Sequence, residues 1–323
     1  MKRVSGINER QNSEINIQRL AAQRQLYSNV KFLQYIRIAL SIPVILMISG
    51  IVFLLKSQSL MTFFGFQPYD ASWVLAIASF CILCIDLLIL APIQRNKKKL
   101  AAVIQEEFDC NVLDIPWNDT IVSECPEREA VISYSESYFK NNRYEGLINW
   151  YACPDESIIP LTACRVICQR SNITWDARLR EKYVILISIV GSISAILIIL
   201  FAAFHDFTIK EFLFKILLPL LPIAKLVIED IWQNQTVINN LHEIKIIIEK
   251  HWQSILANDL NDSELRTISR QIQDRIYHNR NVSPTIPDCL YHMLRQSDES
   301  LMVKTAKQME KEYRDNNKGA KAI

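Results

Sequence analysis

Residues 184–204 read VILISIVGSISAILIILFAAF, an apolar run without a single charged side chain. An α-helix rises about 1.5 Å per residue and the hydrocarbon layer is roughly 30 Å thick, so a run of this length specifies a membrane-spanning helix. Two further blocks obey the same rule: 38–55 carries no charge and 71–93 carries only Asp86. A fourth, 212–228, contains Lys215, Pro219, Pro222 and Lys225. Its Leu, Ile, Phe and Val side chains favour insertion by about 5 kcal/mol, whereas two central lysines oppose it by up to about 6 kcal/mol. The lysines stand toward opposite ends, where snorkelling lowers that cost, and packing on other spans can satisfy the backbone groups that the prolines release. The expected fold is an all-α polytopic membrane protein with four transmembrane helices in two pairs and helical cytoplasmic regions. The pairs are 38–55 with 71–93 and 184–204 with 212–228.

An average hydropathy near zero conceals this division. Half of the 323 residues are apolar, and the stretches between the four blocks are as charged as a globular surface. A net charge of +2 with no clustered basic stripe argues against direct nucleic-acid binding. The basic residues are placed asymmetrically. Arg24, Lys31 and Arg37 precede the first span, Arg95, Lys97, Lys98 and Lys99 follow the second, and Arg178, Arg180 and Lys182 precede the third; residues 57–70 hold no Lys or Arg and 205–211 hold only Lys210. The positive-inside rule then assigns an N-terminal helix (1–37), a central domain (94–183) and a helical C-terminal domain (229–323) to the cytoplasm, the last by parity. Residues 1–37 are polar and helix-prone, unlike a cleavable leader.

The hydrophilic regions read as helices. Residues 8–37 lack Gly and Pro, and Asn8 with Gln11 forms an N-terminal cap for one long helix. Residues 94–108 continue the second span as a helix, which Asp114-Ile-Pro-Trp117-Asn118 breaks. Pro126, Glu127 and Glu129 open a helix to about Lys140, and 161–183 feeds the third span. Val237, Leu241, Ile244, Ile248 and Ile255 form a heptad-like seam that serves either self-association or an intramolecular bundle. Leu265, Ile268, Ile272 and Ile276 mark another helix, Asp288 caps the next toward Tyr313, and the last ten residues are expected to fray.

No Gly-rich phosphate loop, nucleophile elbow or His-Glu-x-x-His helix is present, so neither catalysis nor a metal or other cofactor is expected. The eight cysteines are scattered and expected to be free thiols, Cys81 and Cys84 serving as small packing residues in the second span. Polar residues inside spans carry more information. Asp86 and Lys225 lie at similar depth and either neutralise each other or, with Lys215, line or gate a conduit, for which Pro219 and Pro222 supply a flexible point. Gly191 and Ala195 form a small-x-x-x-small patch for close helix packing.

Several groups of residues carry a resemblance. They are Ile7-Asn-Glu-Arg-Gln-Asn12, Leu20-Ala-Ala-Gln-Arg-Gln-Leu-Tyr-Ser28, Phe108-Asp109 with Ile115-Pro-Trp-Asn118, Trp150-Tyr151, and Cys168-Gln-Arg-Ser-Asn172 with Trp175-Asp176 and Leu179-Arg180. In this order around two span pairs, the chain resembles the SMODS-associated four-transmembrane effector family of bacterial cyclic-oligonucleotide antiphage (CBASS) systems, whose members are described as pore-forming effectors. Ala152-Cys153 between Trp150-Tyr151 and Pro154 departs from the spacing expected of the local turn. The resemblance implies a bacterial inner-membrane location and a cyclic oligonucleotide ligand made by a partner nucleotidyltransferase. It further implies assembly or opening in the bilayer that ends in loss of the membrane barrier and abortive infection. Four spans per protomer are too few to surround a wide conduit, so a homo-oligomer is expected.

Under that reading Arg170, Asn172, Trp175, Asp176 and Arg180 are candidates for ligand binding or signal transmission, since arginine pairs with phosphate and tryptophan stacks on a base. The competing reading is that this cluster pins its helix to residues such as Arg24 and Trp117. A transporter or channel indifferent to nucleotides, and a non-conducting membrane adaptor, are the other functional classes the residues allow. The topology predicts that the polypeptide stays in the membrane pellet through alkaline carbonate extraction and that a reporter fused after Ile323 is cytoplasmic. A soluble polypeptide or a periplasmic reporter would overturn it.

Overall fold

A computed structural model describes residues 6–122, 124–154, 159–204 and 208–320, with no account of the side chains at 210, 211, 214, 215, 219, 222, 289, 291, 292, 294–299 and 318–320. Every regular element among the described residues is a helix, with no strand. In chain order the helices are α1 (Ile7–Gln11), α2 (Glu14–Ala39), α3 (Ile45–Lys56), α4 (Gln58–Phe63), α5 (Ser72–Ile85), α6 (Ala91–Leu113), α7 (Asp119–Val122), α8 (Arg128–Phe139), α9 (Leu161–Phe204), α10 (Ile209–Phe212), α11 (Leu218–Leu256), α12 (Asp262–Val282) and α13 (Asp288–Ala320). Two compact units result: an apolar one of Val30–Asn96 and Val184–Trp232, and a hydrophilic one that gathers Met1–Asn29, Lys97–Tyr183 and Gln233–Ile323.

In the apolar unit α3 and α5 form a hairpin whose seam follows helical spacing. Ile45, Ile48, Val52 and Leu55 meet Ala71, Leu75 and Ile82. The hairpin is closed at its loop by Tyr69 N–H donating to Leu55 O (3.0 Å) and by a Lys56–Asp70 ion pair (2.8 Å). Phe63, Phe64, Phe66, Tyr69 and Trp73 stand exposed around that loop, the aromatic composition of a membrane–water interface. Among the described residues three helix stretches are long and apolar enough to cross a membrane: Glu14–Lys56, Ser72–Leu113 and Leu161–Phe204. None of the apolar window of the third is fully buried, and most of its Ile and Leu side chains are exposed. Gly191 faces α11, where an added Cβ would meet Val227 at 3.7 Å.

Among the described residues three widened π-turns lie in the apolar unit: Leu40–Val44, Asp86–Leu90 and Leu213–Leu217. Each adjoins a proline, Pro43 lying inside the first and Pro92 and Pro219 just beyond the others. A proline has no N–H for the carbonyl four residues earlier, and its ring crowds that carbonyl; a wider turn is one way to accommodate both.

The hydrophilic unit is a helical bundle. Val237, Leu241, Ile244, Ile248, Trp252 and Ile255 of α11 are all buried, packing with Leu265, Ile272 and Ile276 of α12, Ala163 and Ile167 of α9 and Met309 of α13. The heptad-like seam thus closes within the chain. Helix α12 begins with a capping box in which Glu264 N–H donates to Asn261 Oδ1 and Asn261 N–H donates to Glu264 Oε2, both at 2.9 Å. Phe108 stacks on Tyr151 (6.2 Å) and meets Trp150 edge-on (6.4 Å).

Some local expectations are corrected. The N-terminal helix is not continuous: α1 ends at Gln11, and the Ser13 hydroxyl and N–H both donate to Arg10 O, turning the chain before α2. Gln11 Nε2 donates to Asn8 Oδ1 (2.9 Å), a side-chain contact and not the expected cap. The C-terminal helix runs on to Ala320, Asn316 Nδ2 donating to Leu256 O; residues 321–323 of the predicted frayed end lie outside the described residues, as do 205–207 of the predicted loop.

Trp252 is fully buried, its Nε1 donating to Glu312 Oε2 at 3.2 Å. Trp252→Ala is expected to cost about 3–5 kcal/mol of unfolding free energy. Ile246→Ala, at an exposed position of the same helix, should stay within about 0.5 kcal/mol. Unfolding of the detergent-solubilised variants, monitored by circular dichroism, checks the pair.

Candidate functional site

Asp86 belongs to the same helical face as Leu75, Ser79 and Ile82, so the pleat that packs the hairpin also turns this carboxylate inward, where it is 4% exposed. Arg37 is carried inward on the preceding helix. It chelates the carboxylate, Nε donating to Oδ1 and Nη2 to Oδ2 (3.1 Å), while Lys225 Nζ donates to Oδ2 at 2.8 Å. Arg37 Nη1 donates to Gln94 Oε1 (2.6 Å), and Lys225 also reaches Glu229 at 3.4 Å. Two cations and two carboxylates therefore form one connected group in the apolar unit. The Asp86–Lys225 contact follows the depth argument from sequence. Arg37 was counted there only as a basic flank, and its side chain is largely buried. Lys215 stands in the π-turn before α11, and Pro219 and Pro222 in its first turns; their side chains lie outside the described residues.

The candidates on α9 are spread along and around that helix. Arg170 pairs with Glu249 of α11 (2.6 Å). Asp176 and Arg180 pair one turn apart (2.9 Å), and Arg180 Nη1 also donates to Asn234 Oδ1 (2.7 Å) and Pro284 O (3.0 Å). Asn172 and Trp175 are half-buried. Arg24 lies 5.2 Å over the Trp150 ring, and Trp117 packs with Val103, Val122 and Tyr277 in a separate apolar group. Arg170 and Arg180 are thus committed to protein partners, and none of these candidates lines the open groove of about 390 Å³ beside Asn8, Cys153, Lys307 and Glu310.

A denser polar group escaped the sequence reading. Glu106 and Asp109 of α6 are both fully buried in the hydrophilic unit. Asp109 accepts from Tyr151 Oη (2.5 Å), Gln273 Nε2 (3.0 Å) and Arg280 Nη1; Glu106 accepts from Arg270 Nη2 (2.6 Å) and Gln273 Nε2 (2.8 Å). Burial and the neighbouring Asp109 push the Glu106 carboxyl above its ordinary range against the pull of Arg270. Burial likewise raises Tyr27 to about 12 and Tyr151 well above the usual phenol value, so both stay protonated and Tyr151 remains a donor to Asp109. The available signal was the i, i+3 spacing of Glu106 and Asp109 along the same stretch of helix as Ile104 and Phe108, which implies buried acids in need of basic partners. Seven described cysteines are free thiols, Cys164 and Cys168 buried in the core, and no three metal-ligating side chains cluster among the described residues.

The fold and this distribution of charge define an all-helical membrane protein with apolar helices of spanning length and a hydrophilic helical bundle organised by buried ion pairs. The chain belongs to the SMODS-associating 4TM effector domain family, whose model matches residues 5–309. It is similar to a probable CBASS effector molecule of Bacillus cereus, 30% identical over 300 residues that cover 91% of this chain and 95% of that relative. No solved structure matches it.

Removing one partner of a buried ionic group leaves the others uncompensated. Asp86→Ala is expected to destabilise the protein by about 3 kcal/mol or more, because it strands Arg37 and Lys225. Lys225→Met should cost less, since Asp86 keeps Arg37. Thermal melts of the two variants in detergent test the order, and equal losses would contradict it.

Proposed function

We propose that this protein is a CBASS-type membrane effector of bacterial antiphage defence, lying in the inner membrane with both termini in the cytoplasm and crossing the bilayer four times. The observation that carries the reading is the family match across almost the whole chain. The relative named as a probable CBASS effector supports the same class. The fourth span is the start of α11, and the Lys225–Asp86 pair supports it by neutralising a charge that made insertion marginal. The three cytoplasmic segments, 1–37, 94–183 and 229–323, are the sensing part.

In this reading a cyclic oligonucleotide made by a partner nucleotidyltransferase binds the cytoplasmic part. The protein then assembles in the membrane and opens a pore, and the cell loses its barrier. The outward apolar face of α9 supports association with lipid and with further protomers, since none of its apolar window is buried among the described residues. Arg170, Asn172, Trp175, Asp176 and Arg180, with Arg24 and Trp117, act in transmission. Their existing partners on α11 and around Trp150 suit relay better than direct ligand contact. Asp86 and Lys225, with Lys215, Pro219 and Pro222, are the gating residues, because separating a neutralised group exposes charge to whatever fills the opening. The protein works by altering the membrane, without catalytic chemistry of its own.

The purified protein in liposomes loaded with a self-quenched dye is expected to release it only when a member of a cyclic oligonucleotide panel is added. Release in the absence of any nucleotide would indicate an ungated channel, and no release under any condition would indicate a non-conducting adaptor; either result overturns the proposal.

A further inference from the structure

Where α6 ends, two arginines from two helices of the hydrophilic unit share one half-buried carboxylate, and a third lies beside them. Asp114 follows the last residue of α6 in a left-handed backbone conformation, φ 54°. Its Oδ2 accepts from Arg165 Nη2 of α9 at 2.7 Å and from Arg266 Nη2 of α12 at 2.8 Å. Two guanidinium groups thus share a single carboxylate oxygen. Arg10 of α1 arrives beside them: its Nε donates to Val112 O at 2.9 Å, and Arg165 Nε donates to the next carbonyl, Leu113 O. Arg10 Nη2 is buried and finds no hydrogen-bond partner among the described residues.

Around Arg165 the cations Arg266 and Arg10 and the carboxylates Asp114 and Asp262, the last at the start of α12, act together. Burial, reinforced by Arg266 and Arg10 and opposed by Asp114, holds the Arg165 guanidinium below its ordinary value. Arg165 is 3% exposed at its side chain, whereas Asp114 is 41% and Arg266 55% exposed, so the group has a rigid floor and an open mouth. By contrast, Arg170, Arg180, Arg270 and Arg280 each hold a carboxylate partner of their own, and the last two act on carboxylates that are fully buried.

We propose that Arg10, Arg165 and Arg266 form a binding site for a phosphodiester anion, in which the phosphate takes the place that Asp114 now holds between Arg165 and Arg266. Forked guanidinium donors match the oxygens of a phosphate, and Arg10 adds a further positive charge beside them. Asp114 is then a built-in competitor whose carboxylate sets the affinity. That the natural phosphodiester is a cyclic oligonucleotide rests on the function proposed above; the anion site itself does not.

The test uses the full chain in detergent and measures binding of three probes: a panel of cyclic oligonucleotides, inorganic pyrophosphate, and vesicles with phosphatidylglycerol against vesicles of phosphatidylcholine alone. Arg266→Ala should weaken binding of the recognised oligonucleotide roughly tenfold, the loss of one charge-assisted hydrogen bond. Asp114→Asn should tighten it severalfold, because asparagine tolerates the left-handed backbone while removing the competing charge. Arg275→Ala, exposed on the same helix and 4.0 Å from Glu243, should leave it unchanged. Opposite responses of Arg266→Ala and Asp114→Asn separate a binding role from loss of structure, which would weaken both. If a cyclic oligonucleotide binds both variants as it binds the unmodified chain, the arginine site is refuted while the gating function stands. If only pyrophosphate or phosphatidylglycerol responds to the two substitutions, the anion site holds and nucleotide sensing falls. If no probe responds to them, the site is refuted.

Discussion

A charge cannot stay unpaired in hydrocarbon, and the apolar unit is arranged around that constraint. Asp86 is placed inward by the same residue spacing that packs the α3–α5 hairpin, so stability of the hairpin and burial of the carboxylate cannot be separated. Arg37 and Lys225 then have to come to it, and this draws the end of α2 and the start of α11 to one place. Lys225, in the fourth apolar block, supplies one of these cations, so a charge that disfavours that block as an independent span is neutralised by a partner from another helix.

The hydrophilic unit meets a related demand with different means. Glu106 and Asp109 have no contact with solvent, and their neutralisation by Arg270 and Arg280 requires α12 to lie against α6 in a single register. Replacing such a group by apolar side chains is often no loss in stability. What the ion pairs supply is discrimination: a slip of one residue along α12 would strand two buried carboxylates at once. Gln273, bridging both acids, and Tyr151, held through its ring, hydroxyl and backbone, make the arrangement more exacting still.

Much of the architecture was legible because periodicity reports burial. Three apolar helices of spanning length, the seam from Val237 to Ile255 and the α12 stripe at Leu265, Ile272 and Ile276 follow the spacing, and the structure decides that the seam closes inside the chain. The depth match between Asp86 and Lys225 was legible for the same reason. Partners far apart in sequence were not. Arg37 looks like any juxtamembrane arginine, and nothing local to Asp114 shows that Arg10 and Arg165, separated by 155 positions, donate to neighbouring carbonyls of one helix end. The break after Gln11 was also hidden: it depends on Arg10 O accepting from Ser13, a competition between side-chain and helical hydrogen bonds that composition leaves undecided.

The widened turn at Asp86–Leu90 has a geometric consequence for the ionic group it contains. It accommodates one residue more than a regular helix would over the same rise. Were that surplus residue passed along the helix, every side chain it moved past would swing by about 100° about the axis, with almost no change in length. Asp86, at the first position of the turn, would leave the hairpin seam and lose both Arg37 and Lys225 in one step. A proline-adjacent irregularity of a few atoms therefore sets how abruptly the charges of the apolar unit can change their facing.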